Sequence, residues 1–225
     1  MIYHAVSNRC AFDPAYLIAA YPDITSPGLS PALLSSMVEL FFKDYGIQAV
    51  KVDMVAIARE WIGKSSYQLK AKFSGAPRVV DCSSFVKWIY AQRGIWLPRL
   101  SIQQSILGED VSPADFLPCD LIFLGGPWYV DDPLEGVGHV GIVASDKTVI
   151  HASVTVKTVV ESPLEEFLGE EFRGVRRLIP EGQTMLTLEV PKEMEIETSD
   201  DLAWLIVRDF HNWFASRADS LEIPW

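Results

Sequence analysis

Asp81-Cys82-Ser83-Ser84-Phe85-Val86 opens a predicted helix that runs from about Cys82 to Gln92. Asp81 is a suitable N-cap, and apolar residues recur at helical spacing on one side: Phe85, Val86, Ile89 and Tyr90. The N-terminus of a helix carries unpaired N–H groups and a partial positive charge, which favour a thiolate over a thiol. Cys82 is therefore a candidate nucleophile, and a buried structural cysteine is the alternative interpretation.

Two histidines downstream are candidates for the base and its orienting partner. His139 lies in a later, glycine-flanked apolar segment, and His151 lies in the next apolar segment along the chain. Their apolar neighbours predict two strands joined by a short turn at 145–147, with both imidazoles on one face. A nucleophilic thiol needs a base within hydrogen-bond reach, and that base needs a polar group to orient it. A metal site is disfavoured because no carboxylate or third histidine has suitable spacing from this pair.

Helices come first along the chain and strands follow. Two further helices are predicted at about Pro31–Tyr45 and Asp53–Ile62, and residues 64–80 have a loop-like pattern. Short β-branched runs then predict five strands: Asp120–Leu124, His139–Ala144, Thr148–Ser153, Val156–Glu161 and Phe172–Ile179. Connections this short exclude crossover helices, so an antiparallel sheet and the α+β class are expected.

The nucleophile segment is one of six short motifs spread over roughly residues 53–178. The others, in chain order, are Trp61-Ile62-Gly63 with Tyr67, Leu97-Pro98-Arg99-Leu100-Ser101-Ile102-Gln103-Gln104, Leu117-Pro118-Cys119-Asp120-Leu121-Ile122-Phe123, Gly138-His139-Val140-Gly141-Ile142, and His151-Ala152. Together they resemble the motifs of the NlpC-type cell-wall peptidases, a papain-like family of bacterial cysteine endopeptidases.

The resemblance implies a papain-like α+β fold with the nucleophile helix packed on a five- to six-stranded antiparallel sheet. It implies hydrolysis of amide bonds in peptidoglycan stem peptides, most often between D-glutamate, through its γ-carboxyl, and a diamino acid. Cys82 would be the nucleophile, His139 the base and His151 the orienting residue, with a thioester acyl-enzyme and no metal or organic cofactor.

The same resemblance implies a set of substrate contacts: Tyr67, Asp81, Ser83, Arg99, Ser101 and Gln104. Of these, Tyr67, Asp81 and Ser83 would recognise the free amino end of a murein peptide, although Asp81 could equally serve only as a helix cap.

Two residues depart from the family pattern. Ser84 and Cys119 each replace a glycine, and neither lies in the proposed triad. Ser84 predicts altered packing with activity retained. Cys119 would cost on the order of 1 kcal/mol if the backbone there has a positive φ.

The chain is expected to have three parts. Residues 1–52 form an N-terminal helical and loop extension, residues 53–180 the catalytic domain, and residues 181–225 an acidic extension packed on the core. A strand at about Met185–Val190 and a helix at about Asp200–Ser216, capped by Ser199, are predicted in the third part. The helix has an apolar face that should pack on the main sheet or on another subunit of a homo-oligomer: Leu202, Leu205, Ile206, Phe210, Trp213 and Phe214.

Composition excludes several classes of protein. The chain has 225 residues, of which 49% are hydrophobic, so it can bury a sizeable core. Its net charge of −11 disfavours binding to nucleic acid and to anionic membranes, and no apolar run approaches the roughly 20 residues of a membrane span. Three cysteines make no disulfide framework, and the N-terminus shows no secretory signal. A cytoplasmic location is therefore expected, with soluble murein-derived peptides as substrates.

Two other functions remain open at this stage. The same three residues could serve a papain-like acyltransferase or an amidase acting on a non-murein substrate, because a thioester intermediate accepts several nucleophiles. A non-catalytic peptide-binding module is the other alternative. Loss of Cys82 or His139 would be its signature, and both residues are present.

Overall fold

The computed structural model describes residues 8–15, 30–126, 136–182, 185–194, 196 and 198–216. Phe214 and the side chains at positions 31, 199, 211 and 215 lie outside the description, as do residues 1–7 and 16–29 of the predicted N-terminal extension. The chain divides into two compact units. The central unit comprises Asp53–Gln92 and Leu97–Glu181, and the terminal unit comprises Met1–Val52, Arg93–Trp96 and Gly182–Trp225.

The elements follow one another in this order: β1 (Arg9–Phe12), α1 (Pro31–Asp44), β2 (Gln48–Ala49), α2 (Met54–Glu60), β3 (Ser66–Tyr67), a 3-10 turn (Phe73–Gly75), β4 (Val79–Val80), α3 (Cys82–Gln92), α4 (Ser101–Gln104), β5 (Glu109–Asp110), β6 (Leu121–Gly125), β7 (Val137–Val143), β8 (Thr148–Ala152), β9 (Val159–Pro163), a second 3-10 turn (Leu164–Phe167), β10 (Phe172–Arg177), β11 (Leu186–Glu189) and α5 (Ser199–Ala215).

The central unit is built on a six-stranded sheet in the order β5-β10-β6-β7-β8-β9, and every neighbouring pair is antiparallel. The predicted α+β class is confirmed. The region 64–80, predicted as loop, also contains a small parallel pair, in which β3 lies beside β4. A two-residue pair carries too little periodicity to be recognised in a sequence.

The nucleophile helix α3 covers the predicted residues and packs on β7 and β8. Its apolar side is fully buried, as the helical spacing predicts: Phe85, Val86, Ile89 and Tyr90. Because this side is fixed against the sheet, the first residue of the helix, Cys82, is held beside the strand that carries His139.

The turn before β6 contains a residue in the left-handed region. Cys119 has a φ of 77°, where an L side chain is strained and glycine is not. The Cys119 amide donates to the Val143 carbonyl at 2.8 Å, and the Tyr90 hydroxyl donates to the Cys119 carbonyl. These bonds hold the turn in place although its side chain disfavours that conformation.

We expect Cys119→Gly to raise the free energy of unfolding by roughly 0.5–1 kcal/mol, because glycine removes the strain but gains entropy in the unfolded chain. Chemical denaturation is the measurement. Cys119→Ala is the matched control, since alanine removes the thiol yet keeps the Cβ, and it should not stabilise the protein. Equal stability of the glycine and alanine variants would contradict this account.

In the terminal unit, β11 pairs with β1 on one side and β2 on the other, all antiparallel. Residues from both chain ends therefore share one core, in which α5 packs on α1 and β1. Residues 1–52 and 181–225 were expected as two separate extensions. That expectation missed their pairing because β1 and β11 lie near opposite ends of the sequence.

The residue that caps the N-terminus of α5 differs from the predicted one. The Asp200 amide donates to the Thr198 hydroxyl at 3.2 Å, and the Thr198 amide donates to the Asp201 carboxylate at 2.8 Å. Thr198 therefore caps the helix in place of Ser199. The reciprocal pair of bonds resembles a capping box, with aspartate in the role of the usual glutamate.

The apolar face of α5 is covered by its own chain. Leu202, Ile206 and Phe210 are buried, and the Phe210 ring lies 5.6 Å from the Phe41 ring of α1. These side chains are therefore unavailable for the subunit contact that the sequence suggested.

Among the described residues, no helix is both long and apolar enough to cross a bilayer.

Phe210→Ala should lower the free energy of unfolding by about 3–5 kcal/mol, because it opens a cavity between α5 and α1. Thermal or chemical unfolding of the whole chain would show it. Val207→Ala is the control on the same helix, since Val207 is exposed, and it should shift stability by no more than about 0.5 kcal/mol. If the two variants are equally stable, α5 is not docked as described.

Candidate active site

The N-terminus of α3 is fixed by a reciprocal pair of hydrogen bonds. The Ser84 amide donates to Oδ1 of Asp81 at 2.9 Å, and the Asp81 amide donates to Oγ of Ser84 at 2.9 Å. Ser84, which departs from the family's glycine, thus supplies a hydroxyl that glycine lacks. The cap sets the direction in which the preceding chain enters the helix, and so positions Cys82.

Cys82 is a free cysteine with 6% of its surface exposed. Burial, together with the smaller effect of the negative charge of Asp81, raises the pKa of its thiol to about 11. The backbone amides of Val140 and Ser83 act in the opposite direction and lower the pKa. The helix N-terminus was expected to favour a thiolate, but burial outweighs it, so the resting residue is a thiol.

His139 on β7 and His151 on β8 are joined directly. Nε2 of His139 lies 2.9 Å from Nδ1 of His151, and the two rings are nearly perpendicular. Burial lowers the pKa of His139 to about 3 and that of His151 to about 4, and the neighbouring His151 contributes to the first shift. Both imidazoles are therefore neutral near pH 7. Because Nε2 is engaged, Nδ1 is the nitrogen of His139 that can accept a proton.

A glycine and a phenylalanine shape the space around the histidine pair. A Cβ on Gly141 would lie 2.5 Å from Cγ1 of Val149 and 3.3 Å from Cβ of His151. The absence of a side chain there leaves room for His151 beside the strand of His139. The buried Phe167 ring lies 5.0 Å from the His151 ring and 6.3 Å from the His139 ring, so it excludes water from one side of the pair.

The Asp81 carboxylate already has a cationic partner. Arg99 forms an ion pair with Oδ2 of Asp81, donates to Oγ of Ser83 at 3.0 Å and donates to the Ala71 carbonyl at 2.6 Å. Asp81 and Ser83 are each 4% exposed. Two of the three residues expected to meet a substrate amine, Asp81 and Ser83, are thus bound by an arginine of the same chain.

The remaining predicted substrate contacts differ in accessibility. Gln104 has no exposed surface, and its amide donates to the carbonyls of Ser83 at 3.1 Å and Pro98 at 2.9 Å. Gln104 therefore links the nucleophile helix to the segment of Arg99 inside the protein, and its contact with substrate stays a prediction. Ser101 is also buried, at the start of α4. Tyr67 is half-buried, and burial together with the charges of Cys82 and Asp81 raises the pKa of its phenol to about 12.

No group of three or more histidine, cysteine, aspartate or glutamate side chains that could hold a metal ion occurs in the described part of the chain. The side chains that the structure brings together at the site are the thiol of Cys82 and the histidines of the neighbouring strands β7 and β8.

The sequence profile of the NlpC/P60 family matches residues 63–177, just over half of the chain. The chain belongs to the NlpC/P60 family. The matched residues include Cys82, His139 and His151 and all six predicted substrate contacts. The family resemblance seen in the short motifs is confirmed.

Two relatives of this chain have names that mention a glutamyl bond or peptidoglycan. A gamma-DL-glutamyl hydrolase of Bacillus subtilis is 31% identical over 117 residues, which cover 52% of this chain and 25% of that protein. A peptidoglycan DL-endopeptidase, CwlO, of Bacillus licheniformis is 30% identical over 125 residues, covering 53% of this chain and 26% of the relative. The chain thus spans about a quarter of the length of these two relatives.

Among solved structures, an NlpC/P60 family protein from Bacillus cereus has a TM-score of 0.48 and 30% identity. The similarity covers 57% of this chain and 40% of that one.

Sequence reasoning missed two contacts of the histidine pair. Phe167 was not singled out, and Ser162, whose Oγ lies 3.3 Å from Nε2 of His151, fell just beyond the predicted end of its strand. The pairing of β8 with β9 places Ser162 opposite Val149, two residues from His151 on the same face. A correct register for these strands would have revealed it.

Proposed function

We propose that this protein is a cysteine peptidase that hydrolyses γ-D-glutamyl-diamino acid bonds in peptidoglycan stem peptides. One observation carries the proposal: Nε2 of His139 is held at 2.9 Å by His151, while the Cys82 thiol lies against the amide of Val140, the next residue after His139. This arrangement supplies a nucleophile, a base with a free nitrogen and a group that orients the base.

In the proposed acylation step, the thiol proton moves from Sγ of Cys82 to Nδ1 of His139 as the sulfur attacks the amide carbon. The resulting tetrahedral intermediate collapses when the C–N bond breaks, and the leaving nitrogen takes the proton from His139. A thioester on Cys82 remains. Water then attacks it, again with His139 as base, and releases the carboxylic acid and the thiol.

The choice of bond rests on the relatives. The Bacillus subtilis protein is named a gamma-DL-glutamyl hydrolase and the Bacillus licheniformis protein a DL-endopeptidase. Both names carry the DL designation, the first names a γ-glutamyl bond and the second names peptidoglycan, which together motivate this substrate class here. A cytoplasmic location remains a prediction from the sequence.

Mass spectrometry of defined stem peptides, incubated with the whole protein or with Cys82→Ala, tests the proposal. We expect the wild type to produce a fragment ending in D-glutamate and a fragment beginning with the diamino acid, and the variant to produce neither. An added amine or alcohol acceptor separates hydrolysis from acyl transfer. Products in which the acceptor outcompetes water would favour the acyltransferase, and intact wild-type substrate would contradict the proposed hydrolysis.

The ion pair of Asp81 with Arg99 predicts weak selection for a free amino end. A carboxylate left unpaired by an acylated substrate would penalise that substrate, but Arg99 already neutralises Asp81. We therefore expect kcat/KM for a peptide with a free L-alanine and for the same peptide bearing N-acetylmuramic acid to agree within about ten-fold. A much larger preference for the free amine would show that Arg99 leaves Asp81 when substrate binds.

A further inference from the structure

A hydroxyl continues the row of ring nitrogens at the active site. Nε2 of His139 meets Nδ1 of His151 at 2.9 Å, and Nε2 of His151 meets Oγ of Ser162 at 3.3 Å. The three residues lie on the neighbouring strands β7, β8 and β9 of the central sheet. Ser162 is half-buried and does not take part in the proposed bond-making steps.

The proton positions along this row follow from the task of His139. To accept the thiol proton, Nδ1 of His139 must carry no hydrogen, so the ring proton is on Nε2. That proton is donated to Nδ1 of His151, which must then be an acceptor. The single proton of neutral His151 is consequently on Nε2, the nitrogen that faces Ser162.

The same arrangement is required after proton transfer. When His139 is an imidazolium, both of its nitrogens carry hydrogens, and Nε2–H still donates to His151. A serine hydroxyl can donate or accept, but at this stage only acceptance from His151 is compatible with the row. No proton passes to His151 or Ser162. They only determine which tautomer is populated.

The opposite tautomers would disable the base. If Nδ1 of His151 carried the hydrogen, it would donate to Nε2 of His139 and leave the His139 proton on Nδ1, pointing away from its partner. Such a ring has no lone pair for the thiol proton. Loss of an acceptor at Nε2 of His151 would therefore let the inactive pair of tautomers accumulate.

We propose that Ser162 is a positioning residue that accepts a hydrogen bond from His151 and thereby keeps His139 in the tautomer able to take the Cys82 proton. The proposal rests on the proposed peptidase function for its kinetic consequence. Its tautomeric consequence is a property of the folded protein and needs no substrate.

The experiment compares Ser162→Ala, which removes the acceptor, with Ser162→Thr, which keeps it. Ser145→Ala is the matched control, because Ser145 lies in the turn between β7 and β8, is also half-buried and is hydrogen-bonded to Thr148 at 2.9 Å, but makes no histidine contact. The ring-nitrogen chemical shifts of ¹⁵N-labelled histidines report the tautomers near pH 7, and steady-state kinetics on the stem peptide report kcat and KM.

In the wild type and in Ser162→Thr, we expect His151 to carry its hydrogen on Nε2. In Ser162→Ala the Nδ1–H form should appear, and kcat should fall about ten-fold with KM unchanged. Because only the Nε2–H form of His151 is competent, kcat should fall at least in proportion to the fraction of that form that remains. Ser145→Ala should match the wild type in every respect.

Unchanged tautomers in Ser162→Ala would overturn the proposal, as would a threonine variant that is no better than alanine. A tautomer shift without any change in kcat would also overturn it. Failure of the proposed function has a different signature, in which the wild type cleaves no stem peptide while the ring-nitrogen shifts still respond to Ser162→Ala.

Discussion

Replacing the nucleophile, Cys82→Ala, is expected to lower kcat/KM on the γ-D-glutamyl peptide by at least about 10⁴-fold, because the proposed thioester forms on the Cys82 sulfur. Continuous assay of the released amine measures it. Cys119→Ala is the control among the free cysteines, since Cys119 lies in a turn before β6, and it should retain wild-type activity. If the Cys119 variant is inactive and the Cys82 variant is active, the nucleophile is Cys119 and the assignment of Cys82 is wrong.

The raised pKa of Cys82 also predicts how fast its thiol is alkylated at a given pH. Since burial and Asp81 raise the thiol pKa to about 11, alkylation by iodoacetamide should be slow at pH 7 and accelerate as the pH approaches 11. A reactive thiolate at neutral pH would show instead that the helix N-terminus and the Val140 amide dominate over burial.

His139→Ala has the second largest expected effect, a loss of about 10³–10⁴-fold in kcat, because His139 both accepts and returns a proton. His151→Asn should cost only about 10–100-fold, since the asparagine carbonyl can still accept from Nε2–H of His139. Parallel kinetics on the two purified variants give the comparison, with circular dichroism as a check of folding. Equal losses would mean that His151 does more than orient its neighbour.

The pH dependence of wild-type activity follows from the pair of His139 and His151. A histidine base is inactive once protonated, and burial together with His151 lowers the pKa of His139 to about 3. The rate is therefore present above that pKa and lost as the pH falls through it. We expect the acid limb of kcat/KM to lie below about pH 5, whereas an ordinary imidazole would place it near 6.5.

Local patterns predicted the nucleophile helix and the positions of five central strands along the chain. Apolar spacing after Asp81 located α3, and short β-branched runs located β6 to β10 with small errors at their ends. The histidines were placed on adjacent strands for the same reason, since a short turn between two strands forces them to pair. These features depend on residues close together in the chain.

Other features depend on residues that only folding brings together. Arg99 belongs to a separate motif downstream of the nucleophile helix, and its ion pair removes the free carboxylate that the Asp81 motif alone suggested. The pairing of β1 with β11 joins strands near opposite ends of the chain, and no local periodicity encodes that choice of partner.

The protonation states of the active-site residues also depend on the tertiary structure. A helix N-terminus favours a thiolate, and that effect is visible in the sequence. The opposing burial of Cys82, and the Phe167 ring that helps to desolvate the histidines, are products of packing between distant segments. The residue types of the catalytic group were thus readable from the chain, whereas their charges and the contact of His151 with Ser162 were decided by tertiary structure, because solvent exclusion and hydrogen-bond partners depend on the whole fold.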